Sequence, residues 1–294
     1  MALADDTRMN VLVSVNDSYV MPLAVMLGSL LKTNDAAQVT VWLLHLGLSE
    51  ASLDAVRGVV EGPGAELVAV PLDDALFEGY PTANYISKET YLRLLAGEVL
   101  PPELHRILWL DADMLVRGSL DELYRADFGD NALVACCHGE DLPGSMREHC
   151  EELGMAPNEY INAGMLLINL DAWRALDLRA KAEELVQLGI KLAYADQDMV
   201  NLIFGGRIGL VDDRVYNLRT NQPFSPEQLA EARSQARIIH YCGVRKPWAL
   251  SDLPLSDLWR DAYAQSPFGA KKLRLISSVG LSRMMGKFKE QTGR

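Results

Sequence analysis

The strongest constraint on the fold is the run Ile107-Leu108-Trp109-Leu110-Asp111-Ala112-Asp113-Met114-Leu115-Val116. Four apolar residues lead directly into two carboxylates one residue apart, and three more apolar residues follow. An apolar run this short suits a strand buried on both faces of a parallel sheet. Side chains alternate along extended chain, so Asp111 and Asp113 are expected to point the same way with Ala112 between them. Two readings follow. Asp111 ends the strand and Asp113 caps a turn, or the pair converges on a cation that relieves its repulsion. Carboxylate oxygens are hard ligands and suit Mg²⁺ or Mn²⁺.

The surrounding segments predict an α/β chain. Asn10–Val15 reads as a first buried strand running through the polar turn Asn16-Asp17-Ser18 into a helix over Tyr19–Leu31, with Ser18 as its cap. Val39–Leu44 is a second strand, Ser49–Val60 a helix capped by Ser49, and Leu67–Val70 a third strand. A helix is expected over Ser87–Ala96, a short capped helix over Gly118–Leu123, a strand over Ala132–Cys137 and a helix over Ala175–Leu188. The very apolar run Met165–Ile168 follows Asn162-Ala163-Gly164. Asp196-Gln197-Asp198 opens a further helix, and Ala236–His240 is a last strand that ends in a polar loop through Gly243 and Lys246. This β-α-β rhythm begins like a nucleotide-binding unit, but no Gly-rich phosphate loop is present, which disfavours dinucleotide dehydrogenases and P-loop NTPases.

Individual polar residues carry bland and chemical readings side by side. Acidic residues at a helix start are favourable in themselves, which accounts for Asp196 and Asp198 but less well for Gln197. Asn162 serves a buried turn or reaches a ligand. His240 at a strand end is structural, or it joins Gly243 and Lys246 in a phosphate site, where glycine admits close backbone approach and lysine supplies charge.

The 294 residues are long enough to bury a large core, and a net charge of −12 argues against a nucleic-acid partner. From Phe268 onward the chain carries seven Lys and Arg against Glu290 alone, so the acidic character belongs to the body. Those basic residues alternate with Leu273, Leu275, Ile276, Leu281, Met284 and Phe288. A basic amphipathic helix over 268–294 is therefore expected, suited to an anionic membrane surface, with a solvated helix or one docked on the acidic body as the alternatives, and residues 1–267 as the catalytic domain. Met1–Asn10 is short and acidic, unlike a secretory leader, and the four cysteines form no C-x-x-C pair. Both favour a reducing, cytoplasmic setting, with attachment to the inner face of the cell membrane through the tail.

Taken in order, these segments resemble the retaining glycosyltransferases of family 8, with the GT-A fold: a Rossmann-like mixed central sheet flanked by helices. The resemblance rests on Asn16-Asp17-Ser18-Tyr19, Ile86–Arg93, Leu110-Asp111-Ala112-Asp113, Tyr160–Gly164, Asp196-Gln197-Asp198 and His240–Gly243 through Lys246-Pro247-Trp248. It spans roughly residues 9 to 260, and six short motifs in one order make a specific signal.

The resemblance implies that Asp111, Asp113 and His240 bind Mn²⁺, since imidazole suits it better than Mg²⁺, the alternative ion. It implies that Ser14, Asn16 and Ser18 contact uridine and ribose, and that Arg93, Asp111 and Ala112 line the ribose and donor-sugar side. Gly243 and Lys246 would meet the diphosphate. Asn162, Asp196 and Gln197 would hold the transferred hexose, with Gln197 on its β face and Asp196 as the alternative nucleophile. The implied donor is UDP-galactose or UDP-glucose, and the acceptor a glycan or lipid-linked glycan. His138 stands where bacterial members carry an acceptor-side Asp. The alternatives are a UDP-sugar-binding protein without transfer activity, or a UDP-sugar hydrolase.

Overall fold

The computed structural model describes residues 8–78, 80, 87–138, 144–249 and 252–269. Ten strands are present among them: β1 Met9–Ser14, β2 Val39–His45, β3 Glu66–Pro71, β4 Arg106–Leu110, β5 Met114–Val116, β6 Leu133–Cys137, β7 Ile161–Asn169, β8 Ile208–Leu210, β9 Leu218–Arg219 and β10 Ile238–His240. Seven form a mixed sheet in the order β3-β2-β1-β4-β7-β6-β8, and three form a smaller sheet in the order β5-β10-β9.

Alternation explains why the large sheet is buried on both faces. Val11, Val13, Leu108 and Leu110 enter one apolar core with the helix Val20–Thr33, while Leu12, Ile107 and Trp109 enter the other with Tyr91, Leu166 and Phe204. Both faces are thus covered, as parallel strands require.

β1 pairs in parallel with β2 on one side and β4 on the other. The chain order reverses there, which makes the carboxyl ends of β1 and β4 the place where an open α/β sheet forms a crevice. The antiparallel strand β7 brings its own first residues to the same edge, and the amide of Asp111 donates to the Gly164 carbonyl at 2.9 Å.

The expected strand over Ile107–Val116 is divided. β4 ends at Leu110, Asp111-Ala112-Asp113 forms a turn, and β5 resumes in the other sheet, antiparallel to β10. The two carboxylates therefore lie on the hinge between sheets, and they converge through a turn rather than by strand alternation. The Asp113 carbonyl then accepts from the Tyr241 amide at 3.0 Å, which ties this hinge to the end of β10.

Other local expectations differ in detail. Asn16, not Ser18, is the cap: its Oδ1 accepts from the Ser18 amide at 3.1 Å, closing a 3-10 turn ahead of the helix Val20–Thr33. Pro22 sits in the first turn of that helix, where its missing N–H costs no bond. Lys88–Leu95 is a 3-10 helix, with Ser87 making no side-chain cap, and the α-helical turn follows at Ala96–Val99. The expected helix 175–188 is Leu178–Gln187, capped by Asp177, and a short helix not expected from the sequence, Leu170–Arg174, precedes it. Of the basic tail, only Phe268 and Gly269 fall within the described residues, and Phe268 packs against the body. The membrane-binding expectation lies outside them. Among the described residues no helix is long and apolar enough to cross a membrane.

Gly164 marks where the sheets meet. A Cβ on this residue would collide with the His240 imidazole and stand 3.0 Å from Asn162 Oδ1. Only glycine lets β7 pass so close to the end of β10. Gly164→Ala is expected to lower stability by about 1–3 kcal/mol through overpacking. Its denaturant midpoint measures this, and an unchanged midpoint would contradict the packing described.

Candidate active site

A cleft of about 360 Å³ opens at the carboxyl ends of β1 and β4. It brings together every residue to which the resemblance gives a binding or catalytic role. Ser14, Asn16 and Ser18 line one wall, and Arg93, Asp111 and Ala112 the floor. Asp113, His240, Gly243, Lys246, Asn162, Asp196 and Gln197 complete the lining. His138, at the end of β6, lines it too.

The centre is acidic. One ligand atom from each of Asp111, Asp113 and His240 lies within 4.8 Å of the others. His240 Nε2 stands 3.2 Å from Asp113 Oδ1 and 3.8 Å from Asp111 Oδ2. Two cations restrain the carboxylates. Lys246 Nζ contacts Asp113 Oδ2 at 2.5 Å and also donates to the Tyr241 carbonyl. Burial pulls the Lys246 ammonium down, but Asp113 more than compensates and holds it above its usual value. Burial likewise pushes Asp113 up, and Lys246 and His240 together hold it well below the usual carboxylate range. Gly243, at φ +83°, provides the left-handed turn in the loop that leads to Lys246.

Asp111 is oriented from the floor. Its Oδ1 accepts from Trp109 Nε1 at 2.8 Å and from Arg93 at 3.1 Å, while its Oδ2 is the oxygen near His240. The Arg93 guanidinium lies over the Trp109 ring, 4.1 Å from its centroid, and donates to the Ala163 and Thr90 carbonyls. It also pairs with Asp196 at 2.9 Å. Burial raises Asp196 to about 6; Arg93 opposes that rise, and the neighbouring Asp111 charge adds to it.

Asn217 is a residue that sequence reasoning missed. Its Oδ1 lies 2.9 Å from His240 Nδ1, and its Nδ2 donates to Asn162 Oδ1 at 2.9 Å. With its Nδ2 donating to Asn162, Asn217 offers His240 an oxygen, so His240 Nδ1 is the donor in that contact and Nε2 is the nitrogen turned toward the two carboxylates. Two carboxylates and a correctly oriented imidazole nitrogen form a donor set that fits a divalent ion with nitrogen affinity. A lone Asn outside any regular pattern gives no sequence signal for this role.

Gln197 is held by Asn162 Nδ2 and the Ala163 amide on its Oε1, at 3.0 and 3.2 Å, and by Tyr160 on its Nε2. The helix Asp196–Phe204 that carries it starts from Ala195 at φ +51°, a non-glycine residue in a conformation that costs of order 1–3 kcal/mol. The Ser14 hydroxyl donates to the Glu89 carbonyl at 2.6 Å, and that of Ser18 to Asn16. The His138 ring leans on Tyr160, with centroids 5.7 Å apart. Burial, assisted by the Arg219 charge, pushes it down to about 3 and keeps it neutral.

A family model described as Glycosyl transferase family 8 matches residues 10–251. The chain belongs to glycosyltransferase family 8. Among similar members are the lipopolysaccharide 1,3-galactosyltransferase of Salmonella typhimurium and the lipopolysaccharide 1,2-glucosyltransferase of Escherichia coli. The first is 22% identical over 90% of this chain and 80% of its own, and the second 24% over 88% and 79%. Among solved structures, galactosyltransferase LgtC in complex with donor and acceptor sugar analogs superposes with a TM-score of 0.74. It is 28% identical, covering 88% of this chain and 96% of its own. This likeness identifies the fold as GT-A.

The Asn217 contact generates a prediction for this family 8 site. Asn217→Ala is expected to weaken Mn²⁺ binding by about 10- to 100-fold, because His240 loses the partner that fixes its protonated nitrogen. Titration followed by the free Mn²⁺ EPR signal measures this, and unchanged affinity would refute the orienting role.

Proposed function

We propose that the chain transfers galactose or glucose from a UDP-sugar to a glycan or glycolipid acceptor. Configuration at the anomeric carbon is retained, and Mn²⁺ is the working ion. What supports this best is that a single cleft holds the Asp111–Asp113–His240 trio, the protonated Lys246 and the amide pair Asn162–Gln197. A diphosphate would be repelled by two carboxylates alone, and it becomes a ligand once positive charge stands between them. The divalent ion, when bound by Asp111, Asp113 and His240, supplies Lewis-acid neutralisation of charge on the departing UDP.

The chain's own residues do the rest. Lys246 adds a second positive charge on the leaving-group side. Asn16 and Ser18 offer hydrogen-bonding groups for the nucleoside, next to the carboxyl end of β1. Arg93 holds Asp111 and Asp196 in place, and from a buried position it adds positive charge to the floor. Asp196 is turned onto that guanidinium, which suits a carboxylate that positions Arg93 better than one that attacks carbon.

Gln197 is a neutral amide and a poor nucleophile. Retention then follows from attack by the acceptor hydroxyl on the face that the phosphate leaves, the hydroxyl proton passing to the departing phosphate oxygen. The acceptor approaches past His138 and Met146, which line the same cleft. The names of the lipopolysaccharide transferases among its relatives favour a cell-surface glycan as acceptor. The basic composition from Phe268 onward suits a lipid-linked acceptor at an anionic membrane surface on the cytoplasmic side.

UDP release from a panel of UDP-sugars, with Mn²⁺ and with chelator, tests the reading. One hexose donor is expected to be turned over only with the ion, and Asp113→Asn is expected to abolish release. Tight UDP binding with no release from any donor, with or without candidate glycan acceptors, would instead identify a binding protein.

A further inference from the structure

The polar residues behind Gln197 form a continuous hydrogen-bonded chain whose direction is set at both ends. At one end, the backbone amide of Gly164 donates to Asn162 Oδ1 at 3.1 Å, so that atom is an oxygen and the Asn162 amide nitrogen faces Gln197. The backbone amide of Ala163 donates to Gln197 at 3.2 Å, which fixes the receiving atom as the carbonyl oxygen Oε1. At the other end, Asp198 is completely buried. Its Oδ1 receives the Tyr160 hydroxyl and lies 2.8 Å from His149 Nε2, and its Oδ2 receives the Tyr194 amide at 2.8 Å. The Tyr160 hydroxyl has a single proton, and it points at Asp198 Oδ1. Tyr160 Oη must then accept from Gln197 Nε2, 3.1 Å away.

The amide orientation of Gln197 is thus determined without appeal to side-chain assignment. Both hydrogen-bonding directions of its oxygen are filled by Asn162 and Ala163. One of its two N–H bonds goes to Tyr160, and the side chain as a whole lines the cleft. Among the described residues the other N–H has no partner, so it is the group that the Gln197 side chain has left to offer.

We propose that Gln197 meets the donor sugar as an N–H donor with its carbonyl oxygen withheld, and that Tyr160 and Asp198 are positioning residues that impose this orientation. The inference rests on the UDP-hexose reading above and deepens it. Gln197 binds an oxygen of the transferred sugar, and it presents no lone pair to the anomeric carbon. Asp198, with no exposed surface and its two oxygens met by Tyr160, His149 and the Tyr194 amide, acts through Tyr160 rather than on substrate. His149 anchors the far end, which places the packing of the helix Gly144–Glu152 against the catalytic helix in the same network.

A double-mutant cycle tests this. Tyr160→Phe keeps the ring and removes only the hydroxyl. It is expected to lower kcat for UDP release by about 10- to 100-fold, as misplaced substrate-contacting groups do. The Kd for UDP in the presence of Mn²⁺ should not change, since UDP lacks the sugar that Gln197 touches. In a Gln197→Ala background the same change should have no further effect on kcat. Equal losses in both backgrounds, or a parallel loss of UDP affinity, would overturn the positioning role. A wild-type protein that neither binds UDP nor turns over a donor would instead fail the functional reading. In that case the ¹⁵N side-chain amide signals of Gln197, assigned by their loss in Gln197→Ala, still decide the orientation. A shift of one N–H in Tyr160→Phe supports it, and no shift overturns it.

Discussion

The site depends on one electrostatic constraint. Two carboxylates and an imidazole are packed within a few ångströms of one another at the rim of an apolar core, and that arrangement is stable only if cations share it. The chain supplies two of its own. Arg93 stands on Asp111 and Lys246 on Asp113, one from the floor and one from the loop wall. Each cation takes one carboxylate oxygen, and the oxygens nearest His240 Nε2 are the other ones. The geometry therefore divides the acidic pair into an inner set of contacts that hold the fold and an outer set turned to a ligand. Replacing either basic residue by an uncharged one would leave a carboxylate without its balance, which is why both are buried despite their cost.

The fold serves that constraint by changing sheets at the acidic turn. The large sheet delivers Asp111 at the end of β4, and the small sheet delivers His240 at the end of β10, with Asp113 on the link between them. Gly164 lets the two meet, because any side chain there would occupy the space of the imidazole. The reversal of strand order beside β1 opens the crevice in which Ser14, Asn16 and Ser18 lie next to this junction. The strained Ala195 completes the arrangement by turning the start of the helix Asp196–Phe204 toward the same crevice.

Much of this was legible in the chain itself. The apolar runs located β1 to β4, β6, β7 and β10, because strands buried on both faces are continuous in hydrophobicity. The acidic pair, His240 and Lys246 were visible because charged residues at the ends of such runs have few structural reasons to be there. The division of 107–116 into two strands was not, since a strand crossing from one sheet to another keeps the same apolar pattern on both sides of the turn. The 3-10 form of Lys88–Leu95 was equally hidden, as the apolar spacing there reads as an ordinary helix. Asn217, Tyr160 and His149 were invisible as partners because the sequence neighbours of each residue give no sign of its contact. Its role is set by contacts 23, 37 and 49 positions away in sequence, to His240, Gln197 and Asp198.

The central claim is that Asp111, Asp113 and His240 form one divalent-ion site at the junction of the two sheets. Anomalous diffraction at the manganese edge, from crystals grown with Mn²⁺ and UDP, measures this most directly. The account predicts a single strong peak at coordination distance from carboxylate oxygens of both aspartates and from His240 Nε2, with the diphosphate on its open side beside Lys246. A peak elsewhere, or UDP bound in the cleft with Lys246 still on Asp113 and no manganese between the aspartates, would contradict it.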